Sequence, residues 1–215
     1  PDRLWTTVYQ DDDETIDIWQ DLGIPSERIV RRGKADNYWW THAAGPAGPC
    51  SEIFVDRGPH LGPRAREVVR LLALGPDGGP EVDEDRFMEI WNHVFTQDQV
   101  DAHATIVGEL PKKNIDTGSS LERVAMVLQA RKSFFDTDLF TPLLDEVQSL
   151  SGRHYGSDER NDISIRIIGE HARATAFLVA DGVQPSNEGR GYILRRMLRR
   201  VVSNARQLGV KGEVL

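Results

Sequence analysis

The sequence predicts an α+β fold, in which an antiparallel sheet and one helix are followed by a group of helices. Segments with strand character recur up to residues 105–110 and lead into a helix near residue 119, without the strand–helix alternation of a doubly wound sheet. From Phe134 onward, apolar residues recur instead at helical spacing. The break near residues 131–134 predicts two domains, residues 1–132 and 133–215.

The chain is predicted to begin with a strand and a helix. Residues 4–9 have the pattern of a strand, Asp12 or Asp13 is expected to cap the following helix, and Gly23 ends it. The apolar face of this helix is formed by Ile16, Trp19 and Leu22.

A loop, a strand and an insertion follow. Gly45–Pro49 is predicted to be a rigid loop that leads into a strand at Glu52–Asp56. Residues 57–86 are rich in Gly and Pro around a short helical piece, Arg64–Leu74. We interpret this insertion as a surface excursion and assign it no function.

Two further strands are predicted at residues 87–95 and 105–110. On the first, Ile90, Asn92 and Val94 share one face. An amide buried among apolar neighbours costs free energy unless something bonds to it, so Asn92 is a candidate ligand contact. A buried Asn that bonds within the protein would give the same pattern.

The stretch Asp116–Arg123 places a carboxylate and a glycine turn before a helix. Ser119 and Glu122 match a capping box, and Arg123 lies on the side of the helix away from its apolar stripe. That stripe consists of Leu121, Val124, Ala125 and Leu128. With Asn92, this pattern suggests a small pocket for a cationic amine and a phosphate. A capped surface helix would give the same local pattern.

Three helices are predicted in the second domain, at Thr137–Leu150, Ile163–Ala180 and Tyr192–Leu208, and Asp181-Gly182 ends the second of them. The basic side of the third helix carries Arg195, Arg196, Arg199 and Arg200. Its apolar side carries Ile193, Leu194, Met197, Leu198, Val201 and Val202.

Composition excludes several classes of protein. The single cysteine, Cys50, rules out an internal disulfide framework and fits a reducing cytosol. The six histidines lack HExxH or HxxxH spacing, so a metal held by protein side chains is not expected. No apolar run is long enough to span a bilayer.

Charge is unevenly distributed along the chain. The net charge is −8, but residues 187–215 hold seven Lys or Arg against two Glu, a local net of +5. Screening confines electrostatic fields to about 10 Å, so a local basic face can bind a phosphate backbone despite the overall charge. A solvated basic face is the plain alternative.

Several short motifs occur one after another along both predicted domains. The first domain contains Asp36-Asn37-Tyr38-Trp39, Gly45-Pro46-Ala47-Gly48-Pro49-Cys50-Ser51-Glu52-Ile53, Glu89-Ile90-Trp91-Asn92, Leu110-Pro111-Lys112-Lys113 and Asp116-Thr117-Gly118. The second contains Asp181–Tyr192 and Leu194-Arg195-Arg196. In this order the motifs resemble alanyl-tRNA synthetase over the whole chain. The resemblance implies the later half of a class II antiparallel catalytic domain, followed by the start of an α-helical tRNA-recognition domain.

The resemblance implies an alanine pocket. The family binds the substrate ammonium with the residue matching Asp116, and an aromatic side chain matching Trp39 lies against the alanine methyl and excludes larger side chains. Asn92 and Val94 would line the same pocket, and Gly118 would keep its floor open. The alternatives are a turn-capping Asp116, a core Trp39 and a Gly118 that supplies a positive φ.

The resemblance also implies a site for ATP with Mg²⁺ at Arg123 and Gly118. Arg123 falls where class II synthetases hold the γ-phosphate of ATP. The chain departs from the family at Gly118-Ser119-Ser120, where Gly-Met-Gly is usual, and the missing glycine puts close approach of ATP in question. Smaller departures are Ala47, in place of a cysteine, and Gly169-Glu170-His171, in place of Ala-Asp-His.

In the second domain, the resemblance implies contact with the acceptor stem of tRNA. Asn187 would read the edge of a G·U pair in the wide, shallow groove of the RNA helix. The phosphates would be held by Arg190, Arg195, Arg196, Arg199 and Arg200. The alternative for Asn187 is a helix N-cap.

The implied reaction is ATP-dependent activation of L-alanine to alanyl-adenylate, then transfer to the 3′ end of alanine tRNA, in the cytoplasm and away from membranes. Zinc is expected only in the family's editing domain, outside this chain. Two class II motifs precede the family's strand matching residues 4–9, so we expect the chain alone to be inactive. Alternatives are a synthetase-like RNA-binding paralogue without activation chemistry, which Gly118-Ser119-Ser120 favours, and an alanine-activating paralogue with a non-tRNA acceptor.

Overall fold

The computed structural model describes residues 2–58 and 86–212. The chain forms two compact units, residues 1–127, which contain the sheet, and residues 128–215, which contain helices. This confirms the α+β class. Most of the predicted insertion, including the helical piece Arg64–Leu74, lies outside the described residues.

The described part of the first unit is built on a six-stranded sheet in the order β2-β1-β4-β5-β6, with β3 paired to β4. The strands are β1 (Leu4–Tyr9), β2 (Ile29–Arg32), β3 (Tyr38–Trp40), β4 (Gly45–Asp56), β5 (Phe87–Val100) and β6 (Ile106–Ser119). The β1–β2 pair is parallel and the other pairs are antiparallel. Parallel strands need a crossover, which α1 (Asp13–Asp21) provides between β1 and β2.

Helix α1 begins and ends where the sequence indicates. The Asp12 side chain accepts a backbone N–H of the first turn at 3.0 Å, and Gly23 follows the helix with a φ of 91°. On the sheet side, Trp19 Nε1 donates to Ser51 Oγ at 2.8 Å. Leu22 is 70% exposed, so the predicted apolar face is wrong at that residue.

The segment Gly45–Pro49 is the first part of β4, and its prediction as a loop is wrong. Ala47 pairs with Asp98 of β5, and the register shifts before the next paired residue. A Cβ added to Gly48 would lie 2.0 Å from the carbonyl oxygen of Phe95. Glycine is therefore required because two backbones approach closely there.

The long hairpin of β5 and β6 corrects the prediction of a turn at Asp116. Asp101 Oδ1 accepts the backbone N–H groups of the hairpin loop at 2.8 and 2.9 Å. Beyond this loop β6 continues to Ser119, so Asp116 and Gly118 lie in a strand. The sequence misleads because Pro111 looks like a strand end. On an edge strand, an irregular stretch can accommodate a residue without an N–H.

Helix α3 (Leu121–Leu128) follows β6 directly. Its first turn is capped by Ser120, whose Oγ accepts a backbone N–H at 3.3 Å, whereas the predicted cap, Ser119, is the last residue of β6. Met126 is its buried residue, and Leu121 and Leu128 are exposed. The predicted capping box of Ser119 and Glu122 is therefore wrong, because the cap is Ser120, and the predicted apolar stripe is wrong at both ends.

The second unit contains three helices in its described part, α4 (Thr141–Ser151), α5 (Glu159–Ala180) and α6 (Gly189–Leu208). A short 3₁₀ turn, Phe134–Asp136, precedes α4, which begins four residues later than the predicted start at Thr137. The Asp158 side chain caps α5 by accepting a backbone N–H at 3.0 Å, and Gly182, with a φ of 83°, follows its end. The core of this unit is formed by Leu144, Val147, Ile165, Ile168, Val201, Ala205, Leu208 and Val210.

Candidate functional site

Two rows of side chains cross the centre of the sheet. Directly opposite residues of antiparallel strands present their side chains to the same face. The first row pairs Glu52 with Asn92, and Asn92 with Gly118. The second row pairs Cys50 with Val94, and Val94 with Asp116. Asn92, Val94, Asp116 and Gly118 therefore share one face, although they come from two strands and were selected from the sequence by resemblance.

Glu52 is a residue of this face to which the sequence analysis gave no role. Its Oε1 accepts from Asn92 Nδ2 at 3.2 Å, and its Oε2 accepts from Thr7 Oγ1 at 3.2 Å. Burial, followed by the charge of Glu89, raises the pKa of Glu52 to about 7. A carboxylate inside a strand that is mostly apolar is the feature of the sequence that marks Glu52, although this feature does not show what the side chain does.

Asn92 is half-buried and uses only part of its hydrogen-bonding capacity. Its Nδ2 donates to Glu52, while its Oδ1 is buried and has no partner among the described residues. A buried acceptor without a donor costs free energy, so such atoms often mark a place that a ligand fills. The unpartnered Oδ1 is therefore consistent with the prediction that Asn92 contacts a ligand.

Trp39 is held by its indole nitrogen. Nε1 donates to the carbonyl oxygen of Phe95 at 2.9 Å, next to Val94 in β5. The preceding helix α2 (Lys34–Asn37) supplies Asn37, which is fully buried and donates to Thr7 Oγ1 at 2.9 Å and to a β4 carbonyl at 3.0 Å. These bonds fix the position of the short strand β3 that carries Trp39.

Asp116 and Gly118 are exposed. Among the residues that the structure describes, the Asp116 carboxylate makes no hydrogen bond or ion pair, so it does not cap a turn. No atom lies within 4 Å of the position that a Gly118 Cβ would occupy, and Gly118 does not have a positive φ. The alternatives of a turn-capping Asp116 and a glycine needed for its φ are therefore wrong, and the space beside Asn92 is open.

Arg123 projects from the first turn of α3 toward β5. Its Nη1 donates to the carbonyl oxygen of Glu89 at 2.9 Å and lies 3.3 Å from the Glu89 carboxylate. The arginine side chain is 44% exposed, so part of the guanidinium is accessible. The predicted ATP contact is thus a partly exposed guanidinium held against the strand that carries Asn92.

The second unit presents the predicted basic surface on α6. The arginines at 195, 196, 199 and 200 are exposed, and Leu194, Val201, Ala205 and Leu208 are buried on the other side. The predicted apolar side is wrong at Ile193 and Val202, which are 48% and 42% exposed. Burial and the nearby Arg200 lower the pKa of His171 on α5.

Asn187 lies in the loop before α6. Its Oδ1 accepts from Arg195 Nη1, so the two candidate contacts to RNA are joined. The N-cap of α6 is Glu188, so the alternative of Asn187 as N-cap is wrong. Arg190 lines a cleft of about 470 Å³ formed by the loop at 181–188 and the first residues of α6. The loop folds closely against α6 because Gly191 has no side chain: its Cβ would lie 2.4 Å from Gln184 O.

The described residues offer neither a cluster of metal ligands nor a membrane-spanning helix. No group of three or more His, Cys, Asp or Glu side chains in residues 2–58 and 86–212 could hold a metal ion. None of the helices in this part of the chain is long and apolar enough to cross a membrane.

Comparison with known proteins identifies the family of this chain. The profile of the family described as "tRNA synthetases class II (A)" matches residues 1–215. The alanine–tRNA ligase of Kineococcus radiotolerans is 51% identical over 220 residues, and that of Parafrankia sp. is 50% identical over 219. Both alignments cover all of this chain, which spans 23% of either protein. The chain belongs to the class II (A) tRNA synthetases.

Proposed function

We propose that this chain is the part of an alanine–tRNA ligase that binds alanine and begins to bind tRNA. The observation that carries the proposal is the alignment of Asn92, Val94, Asp116 and Gly118 in two adjacent rows on one face of the sheet. A short amino acid offers an ammonium, a carboxylate and one methyl group. These rows offer a free carboxylate, an unpaired amide oxygen and an apolar side chain.

Asp116 would bind the substrate ammonium in this pocket. A charge-assisted hydrogen bond is roughly twice as strong as a neutral one, and the carboxylate has no competing partner in the described part of the chain. Trp39 would limit the size of the side chain, because a methyl group buries too little area to be selected by attraction alone. Gly118 would leave room for the ligand.

Arg123 would bind the γ-phosphate of ATP, supported by its position and partial exposure. Mg²⁺ bound with ATP usually keeps several waters and needs only one or two carboxylates, and Glu89 beside Arg123 is a carboxylate that fits. Bound Mg²⁺ would neutralise phosphate charge. The protein itself would supply orientation and charge stabilisation, with no covalent enzyme intermediate.

The surface of α6 would bind the acceptor stem of alanine tRNA. Arginines on this face would contact phosphates, and Asn187 would contact a base edge after it leaves Arg195. On this proposal residues 1–132 belong to the aminoacylation domain and residues 133–215 begin the tRNA-recognition domain. The protein would act in the cytoplasm, where its substrates are.

One observation favours a second function, an RNA-binding paralogue without activation chemistry. Arg123 is already paired with Glu89, and Ser119 and Ser120 stand where the family usually has Met and Gly. A guanidinium that stays on Glu89 would not reach ATP. The basic face of α6 would then be the functional surface.

The deciding experiment measures alanine-dependent exchange of pyrophosphate into ATP by the full-length protein that contains this chain, followed by charging of alanine tRNA. Exchange and charging with alanine, and not with glycine or serine, would support the ligase. tRNA binding without exchange would support the paralogue. The isolated 215 residues should show no exchange. Robust exchange by them would contradict the expectation that activity needs the class II motifs that precede this region in the family.

A further inference from the structure

Glu52 is bonded at both oxygens to groups of the central face. Oε2 accepts from Thr7 Oγ1, and Oε1 accepts from Asn92 Nδ2, each at 3.2 Å. Thr7 itself accepts from the fully buried Asn37, which anchors this side of the network. Glu52 is therefore held in place and presents one acceptor to the Asn92 amide.

An amide has two different ends, and Glu52 determines which end of Asn92 is free. A carboxylate only accepts hydrogen bonds, so it binds the Nδ2 end and leaves Oδ1 on the other side. This Oδ1 is the buried acceptor without a partner. An ammonium only donates, so it can use Oδ1 but would be repelled by the N–H groups of a reversed amide.

We propose that Glu52 is a positioning residue for the amino-acid substrate: by holding Asn92 Nδ2, it directs Asn92 Oδ1 toward the substrate ammonium. This inference rests on the proposed alanine pocket. The ammonium would then be bound by two acceptors in neighbouring rows of the sheet, the Asp116 carboxylate and the Asn92 amide oxygen. Glu52 acts through Asn92 and does not itself contact the substrate.

The arrangement predicts a dependence on pH. Burial and the charges of Glu89 and Asp36 raise the pKa of Glu52, whereas the Thr7 hydrogen bond and Arg32 lower it, to about 7 overall. The adjacent Cys50 has a pKa raised to about 12, so it stays neutral. Above pH 7 the ionised Glu52 accepts from Nδ2. Below pH 7 Glu52 gains a proton and can donate a hydrogen bond to Asn92 Oδ1. The Asn92 amide can then adopt the reversed orientation.

The test is alanine-dependent pyrophosphate exchange by the full-length protein between pH 6 and pH 9. One pH unit below the pKa leaves about a tenth of Glu52 ionised, so KM for alanine should rise about tenfold from pH 8 to pH 6. KM for ATP should change much less. In Glu52→Gln, KM for alanine should be raised about tenfold at pH 8 and should no longer depend on pH near 7, because glutamine can accept or donate.

A double-mutant cycle separates positioning from a direct charge effect. In Asn92→Ala there is no amide to orient, so adding Glu52→Gln should raise KM for alanine less than twofold further. Equal effects of Glu52→Gln with and without Asn92 would overturn the proposal and mean that the charge acts through space. A rise in KM for ATP instead of alanine would also overturn it, because Glu52 would then serve the nucleotide.

A second variant tests the inference even if Glu52→Gln fails to fold. Glu89→Gln removes a charge that raises the Glu52 pKa, so the midpoint of the alanine KM profile should move to lower pH. A profile that is flat in the wild type, or a midpoint unmoved by Glu89→Gln, would contradict the inference while leaving the alanine pocket intact. Absence of alanine-dependent exchange at every pH would instead remove the proposed function, and the inference with it.

Discussion

The two units of this chain carry their candidate functional residues in different ways. In the sheet unit, the residues come from separate segments and meet only because β4, β5 and β6 are paired in one register. In the helical unit, four arginines lie within six residues of α6 and are exposed by the helical period alone. A site built by long-range pairing should lose function through small geometric errors. A surface stripe should lose affinity in small, separable steps.

The largest expected effect lies in the backbone of the sheet unit. In Gly48→Ala, the new Cβ would lie 2.0 Å from Phe95 O, and overpacking against a backbone atom should cost about 3 kcal/mol of unfolding free energy. Gly118→Ala is the matched control, because it meets no atom within 4 Å. It should keep its stability but raise KM for alanine. Denaturant unfolding and exchange kinetics distinguish the two, and equal loss of stability would contradict this account of Gly118.

The next effect concerns charge in the pocket. Asp116→Asn in the full-length protein keeps the shape but removes the counter-charge of the ammonium, which should cost about 1.5–3 kcal/mol in kcat/KM for alanine. KM for ATP should change little. Asp21→Asn, an exposed acid at the end of α1, is the control and should change neither. Equal losses for both substrates would mean that Asp116 supports the fold instead.

In the helical unit, loss of the contact to a base should reduce the specificity for alanine tRNA. Asn187→Ala should reduce discrimination between alanine tRNAs with G·U and G·C at the recognised pair by about 1–2 kcal/mol. Because Asn187 leaves Arg195 when it contacts the base, the loss of the Asn187–Arg195 contact should not itself lower the affinity for either tRNA. Alanine activation without tRNA should be normal. An unchanged preference for G·U would remove Asn187 from recognition.

The smallest effect belongs to single phosphate contacts. Arg199→Ala should weaken all tRNAs alike and reduce the slope of log affinity against log salt by about 1. Arg160→Ala, on α5, is the control and should leave the slope unchanged. A loss of affinity at Arg199 that varies with tRNA sequence, or that does not respond to salt, would show that α6 does more than hold phosphates.

Local features of the chain were largely predictable from the sequence. The strand β1, the Asp12 cap of α1, the end of α5 at Asp181-Gly182 and the exposed arginines of α6 follow from propensity, capping and period. The α+β class was predictable for the same reason. The cap of α1, the end of α5 and the arginine face of α6 depend on residues within one or two turns of each other, so distant contacts have little influence on them.

Other features depended on distant parts of the chain. Pro111 suggested a strand end, but the strand continues past it through an irregular stretch without a paired residue. Gly118 suggested a turn, yet it pairs with Asn92 of β5 and stays in β6, because the ladder hydrogen bonds outweigh local preference. The cap of α3 moved from Ser119 to Ser120 for the same reason. Glu52 could not be given a role from its position in β4, since its partners lie 45 and 40 residues away.

By itself, the sequence determined the fold class, the basic face of α6 and, through resemblance, which residues are candidates for the proposed pocket. Tertiary structure alone decided that Asn92, Val94, Asp116 and Gly118 share one face and that Glu52 holds the Asn92 amide. The physical reason is the two-residue period of a strand: a shift of one residue in register would turn every one of these side chains to the opposite face.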